Sequence, residues 1–211
     1  MLDDHSSNLL TSNLISSIEF SISKKTLKLA DANLSFEQLN LLIAALRSLN
    51  SLNASIDFEY ANKISQLEIR GLNLNGNSDL DDRALKKIHN YAIENQKLRV
   101  LQLERFKVTH VSLIGFFEGL HMTNIRELNL SSIPLNYHLV ESLCFNFEKN
   151  KVELKTLELR NSKLTDLAAL KLMESLLGVR SRPLKISRLN LSTNNKLGFK
   201  FQNELVKMLE E

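Results

Sequence analysis

The chain has 211 residues, of which 43% are hydrophobic and 24% charged. That is enough for one or two domains with a sizeable core, in the proportions of a globular rather than a disordered protein. The formal net charge of +3 is too small for the dense basic stripe of a dedicated nucleic-acid binder. A single cysteine, Cys144, excludes an intrachain disulfide and favours a reducing compartment. With six glycines and two prolines, there are few breakers, which points to regular, closely packed elements. The basic doublets at 24–25 and 86–87 read as solvated surface.

The first residues, "MLDDHSSNLLTSNLISS", carry no basic stretch and only interrupted apolar ones, unlike a secretory signal peptide. No stretch approaches the roughly 18 apolar residues of a membrane span. Leu9, Leu10, Leu14 and Ile15 fall at helical spacing and predict a capping helix over 7–17, within a cap segment 1–23. "SIEF" at 17–20 recurs as "SIDF" at 55–58, so the first two units are each expected to carry an extra strand or extended segment.

From residue 24 the apolar residues follow one ruler, with offsets of 3, 5, 10, 15, 18 and 22 from its first position. Copy one fits at Leu27, Leu29, Leu34, Leu39, Leu42 and Leu46, with Lys24 in first place. Copy two reads Ile64, Leu67, Ile69 and Leu74; an insertion of about six residues, within "NGNSDLD", then delays a helix carrying Leu85, Ile88 and Ala92. Copies three, four and five match at every position, beginning at Leu98, Ile125 and Leu154. Copy six has Ile186, Leu189 and Leu191, one extra residue, then Leu197, Leu205 and Leu209. At the second apolar position the copies are 40, 34, 27, 29 and 32 residues apart. The segments are 24–63, 64–97, 98–124, 125–153, 154–185 and 186–211.

The opening L-x-x-L-x-L has the period of two of a strand, and the later spacing of three and four is that of a helix. One strand and one helix cannot bury their apolar faces alone, whereas stacked copies can. The expected fold is an α/β solenoid in one domain. Parallel strands line its concave side and helices its convex side, and Phe201, Leu205 and Leu209 turn inward to leave a polar outer face on the last helix.

This spacing resembles the leucine-rich repeat family, and the helical copies of 27–29 residues resemble its ribonuclease-inhibitor-like subclass, over about residues 24–211. The family usually places Asn or Cys three residues after the last strand leucine, where it bonds loop backbone. On the spacing above, that position holds Ala32, Leu72, Phe106, Ile133, Ser162 and Asn194. The first four are expected to replace a polar ladder with apolar packing, with Phe106 in the core.

No phosphate-binding loop, H-E-x-x-H or C-x-x-C occurs. "NLNGNSDLDD" fails the EF-hand pattern, because the glycine place falls on Ser78 and the closing acid on Ala84. Asp79, Asp81 and Asp82 instead suit a helix N-terminus, and Ser35 with Gln38 forms a capping box. His110 and His138 lie near helix starts and are expected to be exposed. Cys144 reads as a half-buried small hydrophobe. No catalytic, cofactor-binding or metal site is expected.

Binding is expected on the outward strand side chains. The candidates are Glu68 and Arg70 of copy two, Gln102 and Glu104, Glu127 and Asn129, Glu158 and Arg160, and Arg188 and Asn190. Glu68 with Arg70 and Glu158 with Arg160 read as Glu-x-Arg at equivalent positions. The loops with Arg105, Lys107, Tyr137 and His138 are the rival surface. The resemblance implies a monomeric, non-enzymatic protein-binding module whose partner is another protein, with no nucleic acid and no cofactor. Leucine-rich repeat effectors that bacteria deliver into host cells are the nearest kind, placing the chain in a cytosol or exporting it there without a cleavable signal. The alternatives are a regulator docking on an enzyme or small GTPase, or the sensor fragment of a larger innate-immune receptor.

Overall fold

The computed structural model describes residues 19–21, 25–55, 69–150, 152–178 and 186–210. The predicted capping helix over 7–17, the segment 56–58, Gln66 and Glu68 lie outside them.

Among the described residues the chain alternates short strands with helices. Strand β1 (Glu19–Ser21) leads into β2 (Thr26–Lys28), followed by α1 (Phe36–Ser55), β3 (Gly71–Asn73), α2 (Asp82–Glu94), β4 (Val100–Gln102), α3 (His110–Gly119), β5 (Glu127–Asn129), α4 (Tyr137–Asn150), β6 (Thr156–Glu158), α5 (Asp166–Leu177), β7 (Arg188–Asn190) and α6 (Phe199–Glu210). The seven strands form one sheet in chain order. β1 pairs antiparallel with β2, so the extra strand expected from "SIEF" is present; β2 to β7 are parallel. The protein is thus α/β, with a six-strand parallel sheet alternating with six helices.

Each parallel strand is three residues long and presents one inward side chain. Leu27, Leu72, Leu101, Leu128, Leu157 and Leu189 stand opposite one another across the sheet. The next inward residues, Leu29, Leu74, Leu103, Leu130 and Leu159, are at most 1% exposed. Each such side chain contributes about 1.5–3 kcal/mol by leaving water. The helices supply the other half of one continuous core, with Leu42, Ile88, Phe116, Leu143 and Leu172 at equivalent places. Each helix packs on the helices of the adjacent copies.

The register corrects the reading of copy two. "ISQLEIRGLNL" satisfies L-x-x-L-x-L twice, at Ile64–Leu67–Ile69 and at Ile69–Leu72–Leu74. Cross-strand pairing selects the second, because Leu72 meets Leu27 and Leu101. The strand centres are therefore 45, 29, 27, 29 and 32 residues apart. The insertion near "NGNSDLD" shrinks to one residue, as in copy six. The position three residues after the last strand leucine is then Asn77, not Leu72. Phe106 and Ile133 do pack into the core there, at 3% and 1% exposure.

The ladder continues past the strands. Leu29, Leu74, Leu103, Leu130 and Leu159 donate their N–H to Asn73, Gln102, Asn129, Glu158 and Asn190 of the following copies, at 2.8–2.9 Å. Two residues on, Asp31, Gly76, Arg105, Ser132 and Asn161 do the same at 2.8–3.1 Å. These five and Thr193 all have left-handed backbones, with φ from 54° to 76°. Non-glycine residues accept this strain because the turn must redirect the chain toward its helix while keeping the ladder bond. Only copy two uses glycine, and a Cβ on Gly76 would also collide with the Asp31 carboxylate.

The helices then start at one repeat position. Ser35, Asp81, Thr109, Asn136 and Thr165 each accept a hydrogen bond from a first-turn N–H, satisfying donors the helix itself leaves open. The Ser35–Gln38 box closes reciprocally at 2.8 and 3.2 Å. Successive starts are also tied together. Asp82 accepts from the Thr109 N–H at 2.7 Å and hydroxyl at 2.8 Å, and Asp166 accepts from the Gly198 N–H at 2.7 Å. Burial pushes the Asp82 carboxyl up, but hydrogen bonds from Thr109 and Ser112 together outweigh it and hold the group below its ordinary range.

Two smaller expectations change. Cys144 is fully buried rather than half-buried, and burial pushes its thiol up to about 11. The α6 surface is not wholly polar, since Phe199 and Val206 are 76% and 53% exposed beside Asn203 and Lys207.

Candidate docking face

The in-register strands arrange the outward side chains in straight rows. The last strand residues form one: Lys28, Asn73, Gln102, Asn129, Glu158 and Asn190. The first strand residues form another: Thr26, Gly71, Val100, Glu127, Thr156 and Arg188. Neighbouring members stand one strand spacing apart, about 4.8 Å. Gly71 leaves a gap that the Thr26 side chain fills.

The amide row is held by its own backbone. The Asn73, Asn129 and Asn190 side-chain oxygens accept from the N–H groups of Asn75, Ser131 and Ser192 at 2.9–3.0 Å. Each carboxamide is thereby fixed in orientation. One step past the strands, Asn75 Oδ1 accepts from the Glu104 N–H at 2.9 Å and Ser131 Oγ from the Arg160 N–H at 3.2 Å. The asparagine and serine positions thus carry short polar groups on hydrogen-bonded backbone.

Of the sequence candidates, Gln102, Asn129, Glu158 and Asn190 fall in one row, and Glu127 and Arg188 in the other. Glu104 and Arg160 follow beyond the strand ends. Arg70 does not belong with Arg160, because the shifted register puts it two residues before Leu72, ahead of β3. There it is exposed and aligned with Lys25, Arg99, Arg126 and Lys155, whose backbones bond in series: Arg70 N–H to Lys25 O, Arg99 to Arg70, Arg126 to Arg99 and Lys155 to Arg126, at 2.7–2.8 Å. Five consecutive copies thus carry a cation at one position; with Leu67 taken as the strand centre of copy two, that position would hold Ser65 instead. The signal is in the sequence once Leu72 is aligned with Leu101.

The loops hold a sparser set. Arg105 lies 3.8 Å from both Asp31 and Glu104. Tyr137 and His138 meet edge to face at 5.8 Å, and His110 and His138 are exposed as expected. On the helix layer, a groove of about 270 Å³ between α2 and α3 is lined by Asp82, Leu85, His89, Ser112 and Phe116. The His89 ring packs edge-on to Phe116 at 5.2 Å, with Nε2 buried and unbonded. Burial holds that imidazole below its ordinary value, against a bond to the Gly119 backbone. Among the described residues no group of three or more His, Cys, Asp or Glu side chains is placed to hold a metal ion, and no helix is long and apolar enough to cross a membrane. Compared with protein-family models and with curated proteins, the chain matches none.

Proposed function

We propose that the chain is a leucine-rich repeat solenoid, of the ribonuclease-inhibitor-like kind, acting as a non-enzymatic protein-binding module. Its partner docks on the outward face of the parallel sheet. One observation carries this reading: Lys28, Asn73, Gln102, Asn129, Glu158 and Asn190 stand in a single row across six hydrogen-bonded strands. Such a row is preorganised, so a partner meets fixed donors and acceptors without the ordering cost that flexible loops impose. The repeat identity is supported by Asn77 and Asn194, which bond loop backbone at the place where that family carries asparagine. The setting that fits a lone, buried thiol is a cytosol, either the producing cell's or a host's after export.

Photo-crosslinking tests the face. A photoreactive residue is placed at Asn129 on the sheet, or at Lys86 on the helix layer, and each protein is irradiated in cell lysate. A discrete adduct from position 129, abolished by Gln102→Ala with Glu158→Ala, supports the reading. An adduct from position 86 that survives those substitutions overturns it.

A further inference from the structure

The basic row beside this face has a chemistry of its own. The whole chain carries a formal net charge of +3, yet Lys25, Arg70, Arg99, Arg126 and Lys155 concentrate five cations immediately before consecutive strands. Their backbones are joined in series by the ladder, so the charges cannot drift apart along the sheet. Two guanidinium groups are anchored from one corner. Arg99 donates through Nη1 to the Gln96 and Leu98 carbonyls at 2.6 and 3.1 Å. Arg126 donates through Nη1 to the Glu153 carbonyl at 2.8 Å and lies 3.2 Å from its carboxylate. Each guanidinium has five donors, so this anchoring orients the fork while leaving an edge to engage a carboxylate. Lys25 and Arg70 make other contacts within the chain, and Lys155 is exposed. The Glu153 pair is of the exposed kind that an incoming carboxylate displaces easily.

We infer that this row is a rail for an acidic segment of the partner: an extended stretch with several carboxylates, lying across the strands. The inference rests on the docking function proposed above and names its partner's chemistry. Five cations at strand spacing span about 19 Å, the length of about six extended residues. A single-stranded nucleic acid would instead look for aromatic platforms on which to stack its bases, and neither outward strand row carries an aromatic residue.

The test uses the full chain and three labelled probes: a twelve-residue peptide of alternating Glu and Ser, the same peptide with Gln for Glu, and a twelve-residue oligothymidylate. Fluorescence anisotropy is read at 50 and 200 mM salt. The Glu peptide is expected to bind at least tenfold more tightly than the Gln peptide and the oligonucleotide, and to weaken as salt rises. Combining Arg70→Gln, Arg99→Gln, Arg126→Gln and Lys155→Gln should lower its affinity at least tenfold. Combining Lys86→Gln, Lys87→Gln, Lys171→Gln and Lys200→Gln on the helices should change it less than twofold. If the first combination melts early, Arg70→Gln and Lys155→Gln singly should each cost at least twofold. No binding of the Glu peptide, equal loss in both combinations, or tighter binding of the oligonucleotide overturns the inference. A face adduct in the crosslinking experiment that survives the combined Arg70→Gln, Arg99→Gln, Arg126→Gln and Lys155→Gln substitutions overturns the rail alone, and loss of the face adduct's dependence on Gln102 and Glu158 overturns the docking face itself.

Discussion

Asn77 and Asn194, four copies apart, make the same three hydrogen bonds. Each carboxamide nitrogen donates to the last strand leucine of its own copy and of the copy before: Leu74 and Leu29 for Asn77, Leu191 and Leu159 for Asn194, all at 2.8–2.9 Å. Each oxygen accepts from the N–H of the leucine that precedes the previous helix, Leu34 at 3.0 Å and Leu164 at 3.1 Å. These are also the two copies with one extra residue before the next core leucine, at Leu80 and Leu197. Both leucines bond back to the asparagine carbonyl, at 3.1 and 2.9 Å. Asparagine and the longer turn therefore come as a unit.

Removing the Asn77 carboxamide strips two carbonyls and one N–H of a buried partner. Leaving such groups unsatisfied costs about 1–3 kcal/mol each, with partial relief by water. Asn77→Ala should lower stability by about 3 kcal/mol in denaturant titration. Asn194→Ala should cost less, because Leu191 and Leu197 beside it are only partly buried. Equal and negligible effects would show that the turns are held by something else.

Leu128 is 1% exposed and Leu72 0%. Leu128→Asp places a charge where neither water nor a partner can reach it, which costs several kcal/mol, the scale of a domain's whole stability. Loss of soluble folded protein is expected. Leu72→Ala, a milder probe of the corrected register, should cost about 2–5 kcal/mol. An unchanged melting temperature for either would contradict the stacked core.

How much of this was legible beforehand depended on whether the ruler could be laid only one way. Copies three to five match it without a gap, and their strands fall where the spacing puts them. Copy two admits two placements, and single-chain spacing cannot see that Leu72 faces Leu27. That one slip cost the Asn77 ladder and set Arg70 beside Arg160 instead of beside Arg99. The left-handed turn was invisible for another reason: five of its six residues are not glycine, and the ladder bond that Asp31, Gly76, Arg105, Ser132 and Asn161 make there joins copies far apart in sequence.

His89 and Gly119 test the helix layer. A Cβ on Gly119 would run into the His89 imidazole. Gly119→Ala should therefore destabilise by about 1–3 kcal/mol, and His89→Ala in the same chain should recover part of the loss. An additive double mutant would show that the two residues are independent.

The same histidine sets a pH dependence. Its folded value is depressed by burial, so protonation favours the unfolded chain. Its contribution to stability is full above the ordinary histidine range and falls as pH drops through about 6.5. Asp82 acts at lower pH. Its folded value is also depressed, so its contribution is present above about pH 4 and is lost as pH falls through the folded value. Melting temperatures from pH 8 to 3 should decline in two stages, with His89→Gln flattening the first and Asp82→Asn reducing the second, to which Glu37 and Asp81, depressed likewise, also contribute. A first stage that persists in His89→Gln would assign it to other groups.

The most direct measurement is amide hydrogen exchange, residue by residue, in the folded chain. A ladder running unbroken through six copies requires the N–H groups of Leu29, Leu74, Leu103, Leu130 and Leu159 to be protected together. Those of Asp31, Gly76, Arg105, Ser132 and Asn161 in the left-handed turns must be protected with them. Fast exchange at Leu74 and Gly76 beside slow exchange at Leu103 and Arg105 would break the sheet at copy two, and with it the straight rows on which the proposed docking rests.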